Sequence, residues 1–263
     1  SIHQRAYARR FLESVIKLRI LNPPKDDLLT AIDEAIAKIE EESIIVIASK
    51  VVSIWQGKCV PLSDYPNKDE LIQKEADMYL PREFAPRGWV MHTIKDGLFV
   101  PTAGIDLSNA NGFYILWPKN PIQAAKKIRD HIKKKFSLKK VGLLIVDSHS
   151  VPLHRGTIGI TLGFEGFNPV RDYRGSRDLF GRKFVVEMAN IADELASAAL
   201  LTMGEGKEQT PVAIISDIPG IEFVDKYVKP KDPDLTFKVD INDDLYSPFI
   251  KSAPWKKGKK NHS

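Results

Sequence analysis

VGLLIVDSHS, Val141 to Ser150, is the stretch on which the fold turns. Six apolar residues, Val141 to Val146, follow one another without a polar break. The run is short, and it reads as a strand buried on both faces. It is expected to end abruptly at Asp147-Ser148. In open α/β sheets ligands sit beyond the carboxyl ends of strands, so this pair would deliver a carboxylate and a hydroxyl to such a place.

Upstream, SIIVIASKVVS (Ser43 to Ser53) is rich in β-branched residues and reads as a second buried strand, ended by Gly57. Before it, DDLLTAIDEAIAKI has the helical period, with Asp26-Asp27 at the capping position. Residues 9–22 read as a strand or a short helix leading to a turn at Pro23-Pro24. DELIQKEADMYL reads as a helix, and WVMHTIKDGLFVP as a hairpin turning at Asp96-Gly97. GFYILW (Gly112 to Trp117) is a further strand, and IQAAKKIRDHIKKKFSLKK a basic helix. Downstream, a glycine-rich region holds Gly156, Gly159, Gly163 and Gly166. Phe184 to Met203 reads as one helix with Ala189, Ala192, Ala196 and Ala199 on a stripe, and PVAIIS as a last strand. Strands alternating with helices predict an α/β, mixed α+β fold. The expected organisation is one domain over residues 1–250 and a flexible basic tail over 251–263.

Composition narrows the function classes. The chain has 263 residues, 43% hydrophobic and 28% charged, which is ordinary for a globular protein and excludes wholesale disorder. Its net charge of +5 is matched by five lysines in the tail, Lys251, Lys256, Lys257, Lys259 and Lys260, so nucleic acid is an unlikely partner. The single cysteine, Cys59, makes no internal disulfide, which fits a cytoplasmic location. No run approaches the roughly 18 apolar residues of a membrane span.

Three groups of residues could carry chemistry. Asp147-Ser148 offers hard oxygen donors suited to Mg²⁺ or Mn²⁺, or simply begins a turn. In TAGIDLSN, Gly104 permits close approach of a ligand, and Asp106 and Asn109 could point to one place or form an Asx-turn. Gly204-Glu205-Gly206-Lys207 could be a nucleotide loop or a helix C-cap, and it lacks the Walker spacing. His149 and His154 lie near Asp147, as loop residues or substrate contacts. No zinc spacing such as H-E-x-x-H and no G-x-S-x-G elbow occurs.

Five blocks in order resemble the coenzyme F420-0:L-glutamate ligase family: IIVIASKVVSIWQGK, PTAGIDLSNANGFYILWPKNPIQAAKKI, VGLLIVDSHSVPLHRGTIGITLGFEGF, DYRGSRDLFGRKF and ADELASAALLTMGE. They run from about residue 18 to about residue 216. The resemblance implies two interlocked subdomains with mixed sheets and a homodimer. It implies a GTP-dependent ligase that joins L-glutamate to an anionic, cofactor-like acceptor through an acyl phosphate, with Mg²⁺ or Mn²⁺. By the same resemblance Asp106, Asp147, Ser148 and Glu205 would hold metal. Ser49, Lys50, Asn109 and the segment from Met203 through Gly204, Glu205 and Gly206 to about Thr210 would bind nucleotide. Four positions depart from the family pattern. Ile54 stands where a lysine is usual, and Val151, Leu153 and His154 where arginine, tryptophan and arginine are usual. EADMYLPREFAPRGWVMHTI also resembles a bacterial branch associated with folate, so a folate-type acceptor and a non-catalytic binding homologue are the alternatives.

Overall fold

A computed structural model describes residues 12–259, so residues 1–11, among them the start of the 9–22 segment, and Lys260 to Ser263 lie outside it. In chain order the elements are β1 (Leu12–Ile16), α1 (Leu28–Ala35), β2 (Ser43–Ala48), α2 (Ser49–Gln56), β3 (Cys59–Pro61), α3 (Lys68–Glu75) and β4 (Met78–Tyr79). β5 (His92–Lys95), β6 (Leu98–Pro101), β7 (Phe113–Ile115), α4 (Pro121–Lys135), β8 (Val141–Ser150) and β9 (Thr157–Glu165) follow. β10 (Val170–Asp172), β11 (Met188–Asn190), α5 (Ile191–Met203), β12 (Val212–Ser216), α6 (Ser247–Ser252) and β13 (Lys256–Lys257) complete them.

The main sheet has the order β1-β12-β2-β8-β9. Only β2 and β8 run parallel; the other neighbours are antiparallel, so the sheet is mixed. One face carries Ile45, Ile47, Leu143 and Ile145 against α1, α2 and α4. The other carries Ile44, Val46, Leu144 and Val146 against α5 and the segment after β12, including Phe223 and Phe237. This two-sided burial is why β2 and β8 read as unbroken apolar runs rather than alternating ones. A smaller sheet, β13-β4-β5-β6, and the ribbon β3-β7 pack with α3 around Leu71, Ile72, Met91 and Tyr114. The mixed α/β class is as expected.

Several boundaries differ from the sequence reading. SIIVIASKVVS is not one strand: the chain turns into α2 at Ser49, because Ala48 gives its N–H to Pro211 O at 2.9 Å as β12 begins. Val51, Val52 and Ile54 then bury as a helix face, so tertiary packing overrides their β preference. β8 does not stop at Asp147 but continues to Ser150, each residue being matched by β9, with Asp147 opposite Ile160 and Ser148 opposite Gly159. The helix expected from Phe184 starts only at Ile191, capped by Asn190, whose side chain accepts the Asp193 N–H at 3.1 Å. Residues 184–190 belong instead to a hairpin with 170–178. The basic tail, expected to be flexible, is in part a strand: Lys256 and Lys257 pair with Tyr79 and Met78.

The glycine-rich region is strand β9, and two of its glycines are contact points. A Cβ on Gly159 would lie 2.3 Å from the Ala196 backbone on α5, and one on Gly163 2.4 Å from Pro121 on α4. The register shift between Ile145 and Val146 is a bulge that leaves an extra residue in β9. It reverses the side-chain alternation, so the two glycines, four apart, face opposite helices. Three lysines of α4, Lys126, Lys133 and Lys135, pair locally with Asp130, Asp225 and Asp33. No helix among the described residues is long and apolar enough to cross a membrane.

Candidate functional site

The parallel register sets the carboxyl end of β2 beside the middle of β8, Ala48 opposite Val146, and β8 runs on past the end of β2. Ser49-Lys50 and Asp147-Ser148 therefore meet at the edge where β2 ends. The loop between α5 and β12 closes this edge from the other side, held by the Ala48 to Pro211 bond and by Thr210 Oγ1, which donates to Met203 O at 2.8 Å. From the smaller lobe, Asp106 is fixed by two backbone hydrogen bonds with Ile115, at 3.0 and 2.9 Å. Between these elements lies a cleft of ≈ 550 Å³. Every expected site residue lines it: Ser49, Lys50, Asp106, Asn109, Asp147, Ser148, Met203, Gly204, Glu205 and Gly206. Ile54 lines it as well, whereas Val151, Leu153, His149 and His154 are not among its lining residues.

Lys50 is the central cation. Its Nζ lies 2.6 Å from Asp106 Oδ2 and donates to Ser108 O and Oγ, each at 2.8 Å. It is the second residue of α2, whose N-cap Ala48 provides no side-chain hydrogen bond. The first-turn N–H groups thus face the cleft without a side-chain cap, next to an ammonium, an arrangement suited to phosphate. Asp106 closes an Asx-turn as well, accepting the Ser108 N–H at 2.7 Å on Oδ1. Burial works to raise its carboxyl, but the Lys50 ammonium and the Ser108 donors outweigh burial and hold it below the usual carboxylate range.

Asp147 is in the opposite condition. Trp117 Nε1 donates to its Oδ2, and the Ser148 N–H donates to Oδ1 at 2.8 Å. Burial nevertheless pushes its carboxyl up to about 6, and the charge of Asp106 adds to the rise. The two acids are thus close enough to feel each other, and they differ because only Asp106 holds a lysine. Asn109 Nδ2 donates to Gly206 O at 3.0 Å, tying the two loops across the cleft. Glu205 accepts from Thr157 Oγ1 at 3.4 Å. Among the described residues, no three His, Cys, Asp or Glu side chains gather into a ready-made metal cage.

Two features escaped the sequence reading. Thr102, Ala103 and Gly104 all have left-handed backbones, with φ of 53°, 52° and 66°. Such a run costs roughly 1–2 kcal/mol per non-glycine residue, and it is held by Thr102 N–H to Met91 O and Ala103 N–H to Thr93 Oγ1, at 2.7 and 2.9 Å. Gly104 does allow a close approach, but to the Trp117 indole, 2.1 Å from where a Cβ would stand. Trp117 itself read only as the end of an apolar strand; its one signal was an indole N–H that needs a partner when buried.

With this geometry in view, comparison with known proteins is specific. The F420-0:gamma-glutamyl ligase family model matches residues 15–217. The chain is similar to the coenzyme F420:L-glutamate ligase of Methanocaldococcus jannaschii, 35% identical over 190 residues, covering 67% of this chain and 76% of that protein. The protein of that name from Methanosarcina mazei is 34% identical over 203 residues, covering 72% and 79%. The one from Methanopyrus kandleri is 31% identical over 208 residues, covering 73% and 81%.

Proposed function

This chain belongs to the F420-0:gamma-glutamyl ligase family and is a ligase enzyme, and from that premise we propose that it forms an amide bond between L-glutamate and a carboxylate of coenzyme F420-0, using GTP and a divalent cation. The observation that carries this reading is the convergence, in one cleft, of residues from four distant stretches: 49–50, 106–109, 147–148 and 203–206. Lys50 and the N-terminal turn of α2 bind the nucleotide phosphates. The 203–210 loop, tied down through Asn109 and Thr210, frames the rest of the nucleotide.

The donor set fits Mg²⁺ or Mn²⁺. Asp106 and Asp147 are carboxylates, Ser148 adds a hydroxyl, and Glu205 stands on the facing loop, all hard oxygens. Mg²⁺ keeps several waters and needs few protein ligands, so the lack of a three-acid cage does not count against it. Two carboxylates that repel each other are also what a cation relieves. When bound, such an ion neutralises charge on the phosphates and on the forming mixed anhydride.

The reaction proceeds in two transfers. An oxygen of the acceptor carboxylate attacks the γ-phosphorus of GTP, and the bond to the β-phosphate oxygen breaks, releasing GDP. The amino group of glutamate, after losing a proton, then attacks the acyl carbon, and inorganic phosphate leaves. The chain's own part is to hold donor and acceptor in line and to exclude water, which would hydrolyse the anhydride. We further propose a homodimer. The hairpin over residues 170–190 ends in Leu179 and Phe180, 98% and 96% exposed, an apolar tip that a second copy would cover. The test of the reading is GDP and phosphate release that requires both glutamate and acceptor. Release with a folate-type acceptor instead would move the assignment to that substrate, and GTP binding without release would favour a non-catalytic homologue.

A further inference from the structure

Trp117 sits where the two lobes meet. It follows β7 in the smaller lobe, is 4% exposed, and packs into the core beneath the main sheet. Its indole N–H crosses to Asp147 Oδ2 on β8. An indole has one donor and no acceptor, so this bond uses its whole polar capacity. Asp147 Oδ1 takes the Ser148 N–H at 2.8 Å. Each carboxylate oxygen therefore has one donor, which restrains the group while acceptor capacity remains on both oxygens.

The indole is itself locked. Gly104, in the left-handed turn that precedes Asp106, lies against it so closely that a Cβ would stand 2.1 Å from Nε1. The buried Lys95 ammonium lies 5.9 Å from the ring centre and is paired with Glu75 at 2.8 Å. The backbone that carries one site carboxylate thus braces the side chain that orients the other. Asp106 is oriented by Lys50 and Ser108, whereas Asp147 forms no ion pair among the described residues and takes its hydrogen bonds from this indole and its own backbone.

We propose that Trp117, braced by Gly104, is the positioning residue that presents Asp147 to the divalent cation. The inference rests on the reading of Asp147 as a metal ligand. Groups that orient a ligand from behind change metal affinity about 10–100-fold when removed. Trp117→Phe keeps an aromatic ring in the core but removes the N–H donor together with the five-membered half of the indole, and Gly104→Ala keeps the N–H but displaces it. Both are compared with the parent and Asp147→Asn by titrating Mn²⁺ alone and reading free Mn²⁺ by electron paramagnetic resonance. Circular dichroism and thermal melting establish that each variant is folded.

The expected result is Mn²⁺ binding weakened about tenfold or more in Trp117→Phe, with GDP binding in the absence of metal unchanged. Gly104→Ala is expected to move the same way, and it carries the test should the phenylalanine variant not fold. The change in tryptophan emission on adding Mn²⁺ is expected to disappear in Trp117→Phe. If Trp117→Phe binds Mn²⁺ as the parent does while Asp147→Asn does not, Trp117 is only a packing residue and the proposal falls alone. If Asp147→Asn also binds Mn²⁺ normally, Asp147 is not a ligand and both fall.

Discussion

Replacing Asp147 by Asn should make the metal-free protein more stable at neutral pH, an unusual outcome for a half-buried, hydrogen-bonded polar residue. The carboxyl is raised from 3.8 to about 6, chiefly by burial. For an acid shifted upward, ionisation costs more in the folded state than in the unfolded one. The penalty is complete above the folded value and vanishes below the unfolded value. The gap of about two units corresponds to about 3 kcal/mol at pH 7.5, falling to about 1 kcal/mol at pH 4.5. Asparagine can still accept from Trp117 but offers no second acceptor to the Ser148 N–H, a loss of about 1 kcal/mol. The net expectation is a gain of about 2 kcal/mol at pH 7.5 that disappears toward pH 4.5. Urea denaturation with a chelator present, at a series of pH values, measures it. A variant no more stable than the parent at pH 7.5, or a difference that does not shrink on acidification, would refute the assignment of a strained, desolvated carboxylate. Adding Mg²⁺ should stabilise the parent and not the variant.

Lys50→Met should weaken nucleotide binding about tenfold, read by calorimetry; because the pair with Asp106 is partly exposed, stability should change by less than about 1 kcal/mol. Gly163→Ala places a Cβ 2.4 Å from the Pro121 backbone; overpacking of about 2–3 kcal/mol should lower the melting temperature by about 5–10 °C. Phe180→Ser at the hairpin tip should shift the protein from dimer to monomer in light scattering without changing its circular dichroism, and an unchanged mass would remove this tip from any dimer contact.

What was legible in the sequence was mostly what local patterning controls. VGLLIV is buried on both faces, and its run of apolar residues says so directly. Asp27 caps α1 as its position suggested, and Asp96-Gly97 turns the β5-β6 hairpin with positive φ at both residues. What was not legible depends on neighbours distant in sequence. The β-branched residues of SKVVS become a helix where β12 begins beside Ala48, and nothing local announces that. β8 runs past Asp147 because β9 supplies partners, although in sequence β9 reads only as a glycine-rich region. Its glycines are there to admit α4 and α5, a requirement of packing rather than of turn chemistry.

The site divides in the same way. Asp106, Asp147, Ser148 and Lys50 were found as residue types at the ends of apolar runs and through the family likeness. The convergence of Lys50 with Asp147 and Ser148 follows from the parallel β2-β8 register, and Asp106 joins them from the smaller lobe through its pairing with Ile115. Trp117 was missed because its hydrogen-bond partner lies 30 residues away on another sheet. The left-handed turn at Thr102 and Ala103 was missed because neither residue type favours that conformation.

The ligase reaction is reached most directly by one measurement. Purified, folded protein shown to bind GTP is incubated with coenzyme F420-0, L-glutamate, GTP and Mg²⁺, and the acceptor is followed by mass spectrometry. The prediction is an acceptor extended by glutamyl units, with one GDP and one phosphate released per unit added, all abolished in Asp147→Asn. An acceptor whose mass does not change under these conditions would contradict it.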